Sequence, residues 1–192
     1  MLSSMAERGK TRKQLVASTV ELLRRQGAYG TGLHDVLDHS GAPRGSLYFH
    51  FPGGKEELIR EALQEAADVV DRALEKNLDR HRNVAEAMAD FLTRYGDRLV
   101  ESNFTGGCPV AAVALDVAAE GDRLRTACDW ALSGWVSILA ERLREEGRGP
   151  EEAEALALTA LSALEGALIL SRARRSADPL HAVAGQLQRL LS

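Results

Sequence analysis

Residues 31–57 read TGLHDVLDHSGAPRGSLYFHFPGGKEE, two short helical runs joined by a tight turn. Leu33, Val36 and Leu37 recur at helical spacing before Gly41 stops the first run. Pro43 suits the first turn of the next helix, where its missing N–H leaves no intrahelical bond unmade. In that second helix Leu47 and Phe51 lie four apart and share the buried face. Arg44 and Tyr48, also four apart, then share an outward one. A helix–turn–helix that shows a guanidinium and a phenol to solvent has the shape of a major-groove reader. Spacing alone fits equally a plain surface hairpin, with Arg44 and Lys55 as solvated charges and Tyr48 and His50 packing the turn.

Upstream, residues 1–9 read as a frayed arm. Thr11-x-x-Gln14 forms a capping box for a first helix with Leu15, Val16, Thr19, Leu22 and Leu23 inside, ended by Gly27. Tyr29 is expected to pack under this head. Downstream, a fourth helix runs from about Gly54 to Asn77 with a wide apolar stripe, which suits it to act as a lever between head and body. Asn83 caps a fifth helix, Pro109 opens a sixth, Gly121 and Asp122 separate and cap a seventh, and Gly147 stops that one. Pro150 starts an eighth that is apolar nearly all round, with Glu165 alone in its middle, and Asp178-Pro179 opens a ninth. The expectation is an all-α protein: a three-helix head over residues 1–52 and a six-helix body over 53–192.

Charge is divided along the chain. The net charge is −4, yet residues 1–60 hold nine Lys/Arg against six Asp/Glu, so the head is basic and the remainder acidic. Such a chain meets phosphates with one end. The N-terminus lacks the apolar core of a signal peptide, and no uninterrupted apolar run reaches the roughly 20 residues of a membrane span, which points to the cytoplasm. Cys108 and Cys128 have no metal-ligand or C-x-x-C spacing and read as reduced thiols. The five histidines have no nucleophile arrangement around them. His34 and Asp38, four apart, read as an exposed pair, so neither a metal, a cofactor nor an enzyme is expected.

The run SGAPRGSLYFHFPGGKEEL, with the helix before it, resembles the DNA-binding head of the TetR family of bacterial repressors. Thr31, the Gly41 turn, Gly45-Ser46-Leu47-Tyr48, His50-Phe51 and Lys55-Glu56 carry the likeness. Two departures stand out: Pro43 replaces the frequent Ser cap, and Gly53-Gly54 lengthens the turn by one residue. With the GCPVA run at 107–111, they are similar to the LmrA-type, flavonoid- and multidrug-responsive subgroup. The resemblance implies a homodimeric, ligand-responsive transcriptional regulator that a small molecule releases from a palindromic operator. It implies efflux-pump control and a planar aromatic ligand.

On that reading Arg44 reaches a base edge and Tyr48 a phosphate or thymine methyl, while Thr31, His50 and Lys55 fix register on the backbone, with Gly45 and Ser46 in the same surface. Met88, Phe91, Tyr95, Phe104 and Trp135 are the large side chains of an otherwise small-residue body and are candidate ligand contacts. Each also reads as plain core. Glu165 faces either that pocket or the dimer contact. Leu164, Leu168, Leu180, Val183 and Leu187, on the last two helices, are the expected dimer interface. The rival from another class is a helical small-molecule-binding or interaction protein without specific operator binding.

Overall fold

The computed structural model describes residues 2–117 and 122–192, with side chains from Gly9 onward, Asp122 excepted. Among the described residues there are nine helices and no strand: α1 (Leu2–Gly30), α2 (Leu33–Ser40), α3 (Ser46–His50), α4 (Gly54–Leu78), α5 (Val84–Glu101), α6 (Pro109–Asp116), α7 (Asp122–Glu145), α8 (Pro150–Arg174) and α9 (Asp178–Leu191). The all-α expectation holds. Gly121 as a break lies outside the described residues, and so does the Asp122 side chain that its expected role as a cap depends on.

The chain forms two compact units. One comprises residues 1–67 with 108–131, and the other 68–107 with 132–192. These boundaries differ from the expected division at 52/53, because α6 packs along α1. In the first unit Leu15, Leu23, Val36, Leu47, Phe51, Leu58, Ile59 and Leu63 form the core. In the second, α9 lies against α5 and α8, and Gly96 permits the approach. A Cβ there would stand 3.1 Å from His181 Nε2 and 3.3 Å from Ala177 Cβ. Asn83 caps α5 through the Glu86 amide at 2.8 Å, and Arg142 donates to the C-terminal carbonyl of Leu78 on α4 at 3.1 Å.

Several local expectations are corrected. Residues 2–9 are helical, so α1 runs through Thr11 and the Thr11 capping box is an interior turn. Gly27 does break α1, with φ 69° and ψ −173°. Tyr29 is exposed and not packed under the head. α9 begins at Asp178 with Ala177 as its N-cap, and the Asp178 amide donates to Ser176 Oγ at 3.1 Å. α8 meets the length and apolarity of a membrane span. Its buried residues Ala153, Ala157, Ala160, Leu164, Ala167, Leu168 and Ser171 fall at helical spacing on one face. A one-faced stripe is the pattern of a helix packed on a core. The other face is exposed in the single chain.

Candidate functional site

The hairpin α2–α3 is held from behind. Gly41, at φ 65°, closes α2, and its amide donates to Leu37 O. The Pro43 carbonyl accepts the Ser46 amide at 2.8 Å and its hydroxyl at 2.6 Å. Pro43 therefore forms the turn, and α3 starts three residues later than its N1 chemistry suggested. Leu47 and Phe51 are fully buried. Arg12 of α1 pairs with Glu61 of α4, and its guanidinium lies 5.1 Å from the Phe51 ring centroid. Glu57 Oε2 accepts the Gly53 amide at 2.7 Å, which shapes the Gly53-Gly54 turn into α4.

That bracing leaves one surface open. Arg44 and Gly45 are exposed, Tyr48 is 66% exposed, and Phe49 is 65% exposed. Ser46, His50 and Lys55 are half-buried at its edge. The Phe49 and His50 rings meet edge-on with centroids 5.0 Å apart. Exposed large aromatics on a polar hairpin indicate a contact surface rather than a fold requirement. Phe49 was missed from sequence because it reads as core between Tyr48 and Phe51. Thr31 departs from its expected role. It is 1% exposed and its hydroxyl donates to Gly27 O at 2.7 Å, so it closes the Gly27 break instead of facing solvent.

Within the same unit, Asp116 at the end of α6 reaches the chain just before α2. Its Oδ2 accepts the Ala28 amide at 2.6 Å and the Tyr29 amide at 3.1 Å. Sequence carried no signal for this joint. The amides are left without helical partners by the Gly27 break, and only the folded α1–α6 packing brings a carboxylate to them.

In the second unit the expected ligand residues separate. Met88 is buried in the core. Phe91 and Tyr95 pair with centroids 6.2 Å apart. The face of Phe104 is taken by Arg175, 5.6 Å from the ring centroid, and Arg175 also donates to Asn103 Oδ1 at 2.5 Å. Glu165 is half-buried. Trp135 is 2% exposed, yet its indole N–H makes no hydrogen bond of normal geometry. It faces the carboxylate of Asp71 on α4. Burial raises the Asp71 pKa above its ordinary 3.8, and the Trp135 N–H opposes that rise. Asp71 was not foreseen: in sequence it is one more acid on an acidic helix.

The last two helices also rearrange the expected interface. Leu164, Leu168, Leu180 and Leu187 are buried within the chain, and Val183 is half-buried. The uncovered apolar face of α8 is instead Leu158, Ile169 and Leu170, joined on α9 by Leu190. Both cysteines are buried and form no disulfide. The Cys108 sulfur caps α6 by accepting the Ala111 amide, and burial pushes the Cys128 thiol up to about 11.

Residues 15–62 match the family described as bacterial regulatory proteins, tetR family. Residues 84–186 match the C-terminal domain of LmrA/YxaF-like transcriptional regulators. An uncharacterized HTH-type transcriptional regulator of Mycobacterium tuberculosis is 39% identical over 185 residues, 94% of this chain and 93% of that protein. The HTH-type transcriptional regulator LmrA of Bacillus subtilis is 31% identical over 183 residues, 95% of this chain and 97% of that protein. The fold is also that of a cysteine-substituted TetR family regulator, CifR, complexed with a 26-base-pair operator DNA. The TM-score is 0.80 at 24% identity, covering 92% of this chain and 94% of that one. With both halves matched and the relatives aligned along nearly its whole length, the chain belongs to the TetR family of bacterial transcriptional regulators.

Proposed function

We propose that the protein is a homodimeric, cytoplasmic repressor that binds a near-palindromic operator and releases it when a small aromatic or amphipathic molecule enters the body. The observation that carries the DNA half is the exposed Arg44–Tyr48–Phe49 surface on a hairpin whose inner side buries Val36, Leu47 and Phe51. Arg44 forks to a base edge, Tyr48 meets phosphate, and Phe49, having no hydroxyl, makes apolar contact with sugar or a thymine methyl. His50, Lys55, Gly45 and Ser46 hold register at the rim. The solved relative in complex with operator DNA supports the same use of the fold.

A palindrome needs two heads. The α8 stripe of Leu158, Ser162, Gly166, Ile169 and Ala173 recurs at helical spacing and is exposed at each position. No atom lies within 4 Å of a Cβ built at Gly166, so a second copy's helix can approach closely there. The ligand half rests on the match of residues 84–186 to the C-terminal domain of LmrA/YxaF-like regulators. α4 carries Lys55 in its first turn and runs on to Leu78, so a molecule that moves α4 moves Lys55 with it.

Fluorescence anisotropy tests the reading, with the duplex upstream of the protein's own gene set against a random duplex at physiological salt. The expected preference is about a thousandfold or more. Equal affinity for the two would leave a helical ligand-binding protein without specific operator recognition.

A further inference from the structure

We infer that Arg123, at the start of α7, is a positioning residue of the DNA-binding surface: it holds and neutralises the Glu56 carboxylate, so that the first turn of α4 offers Lys55 to a phosphate. This rests on the reading that the protein binds operator DNA, and adds a residue from beyond the matched head, residues 15–62.

α4 opens with one cation and two carboxylates, Lys55, Glu56 and Glu57. Taken alone, that turn is net negative and repels the phosphate that Lys55 is placed to hold. The fold engages both acids. Glu57 Oε2 accepts the Gly53 amide at 2.7 Å, which ties that carboxylate to the turn it shapes. Glu56 Oε1 lies 3.6 Å from Arg123 Nη1, and the two residues belong to one compact unit although they stand far apart in sequence. Among the described residues no carboxylate pairs with Lys55, so its ammonium is the uncommitted charge of the turn.

The side chains of Arg123 and Glu56 are 84% and 51% exposed, so their pair adds little to folding. Its consequence appears when a third charge arrives. A phosphate at Lys55 stands beside residue 56, where a carboxylate without its guanidinium opposes binding. Charge compensation of this kind reads no base, so its effect is the same for every sequence and fades with salt.

Full-length variants are titrated by fluorescence anisotropy with the duplex upstream of the protein's own gene and with a random duplex, between about 50 and 200 mM potassium chloride. Urea unfolding alongside checks that each variant keeps the fold. Arg123→Ala is expected to weaken both duplexes about threefold or more at the low end, with the loss shrinking as salt rises. Arg123→Lys keeps the charge and should bind as the parent does. Glu56→Gln should tighten both duplexes, and Arg123→Ala combined with Glu56→Gln should return to the parent's affinity, since one charge of each sign has gone. No loss in Arg123→Ala overturns the inference. So does weaker binding by Glu56→Gln, which would make the pair a mechanical tie between α4 and α7. A double variant as weak as Arg123→Ala also overturns it, because Arg123 then meets phosphate directly. All three results leave the operator reading standing when the parent prefers its own duplex. A parent that binds the two duplexes equally overturns that reading alone, and a parent that binds neither overturns both.

Discussion

Arg12 and Glu61 form a two-pronged ion pair between α1 and α4 across 49 positions of sequence, and the Arg12 guanidinium also covers the Phe51 ring. The recognition hairpin is thus clamped from behind by one side chain that contacts both α4 and the residue just after α3. The side chains are 45% and 26% exposed, so water screens the pair. A double-mutant cycle with Arg12→Ala and Glu61→Ala should give a coupling of about 1 kcal/mol or less by urea unfolding. Arg12→Ala alone should cost more than Glu61→Ala, because it also uncovers Phe51. Equal single-mutant costs would show that the ring contact contributes nothing.

Base reading and phosphate holding separate by salt. Arg44→Ala should weaken operator binding by about 1–3 kcal/mol and relax preference at one base pair. Lys55→Ala should weaken operator and random duplex alike and reduce the salt slope by about one. Anisotropy titrations over a range of potassium chloride concentrations check both. An Arg44→Ala loss that is the same for every sequence would move Arg44 from the base edge to the backbone.

Burial decides which leucines and isoleucines on α8 and α9 hold two chains together. Ile169→Glu places a charge on the exposed stripe. It should yield folded monomers in sedimentation velocity, with thermal unfolding still cooperative. Leu187→Glu buries a carboxylate in a position only 3% exposed, and should lose the fold itself. Folded monomers from Leu187→Glu would return the interface to the face first expected from sequence.

Cys128 supplies a pH signature. Its thiol is raised from 9.0 to about 11 because burial disfavours the thiolate. Over that window the unfolded chain loses this proton and the folded chain keeps it, so its contribution to stability is present below pH 9 and is lost as pH rises towards 11. Cys128→Ser should flatten the alkaline limb of the unfolding free energy measured by urea titration between those values. At neutral pH, iodoacetamide should label Cys128 far more slowly than a thiol in the unfolded chain. Rapid labelling in the native state would contradict the buried placement.

Legibility from sequence follows how local each cause is. The Leu47/Phe51 face, the Asn83 cap and the breaks at Gly27, Gly41 and Gly147 depend on neighbours a few residues away, and each was readable. The start of α1 was not. Thr11-x-x-Gln14 is the same letters whether it caps a helix or lies inside one. Pro43 satisfies the chemistry of a first helical position and of a turn equally, and the Ser46 bonds to its carbonyl decide between them. Both faces of α8 are apolar, so sequence cannot say which one α9 covers. Thr31 and Asp71 owe their roles to groups that arrive from elsewhere in three dimensions: the Gly27 carbonyl and the Trp135 indole.

Gly27 and Asp116 differ in how they can change over generations. Losing the carboxylate at position 116 removes two hydrogen bonds but leaves every backbone angle allowed, so that position can vary and revert. At position 27 a Cβ would lie 2.4 Å from Asp116 Oδ2, and it would also have to accept φ 69° with ψ −173°, a region open essentially to glycine alone. Relieving the first obstacle by substitution at 116 leaves the second untouched. Descent can therefore rewrite the joint between α1 and α6 in one order only: position 116 first, and position 27 only after the break in α1 itself has been lost.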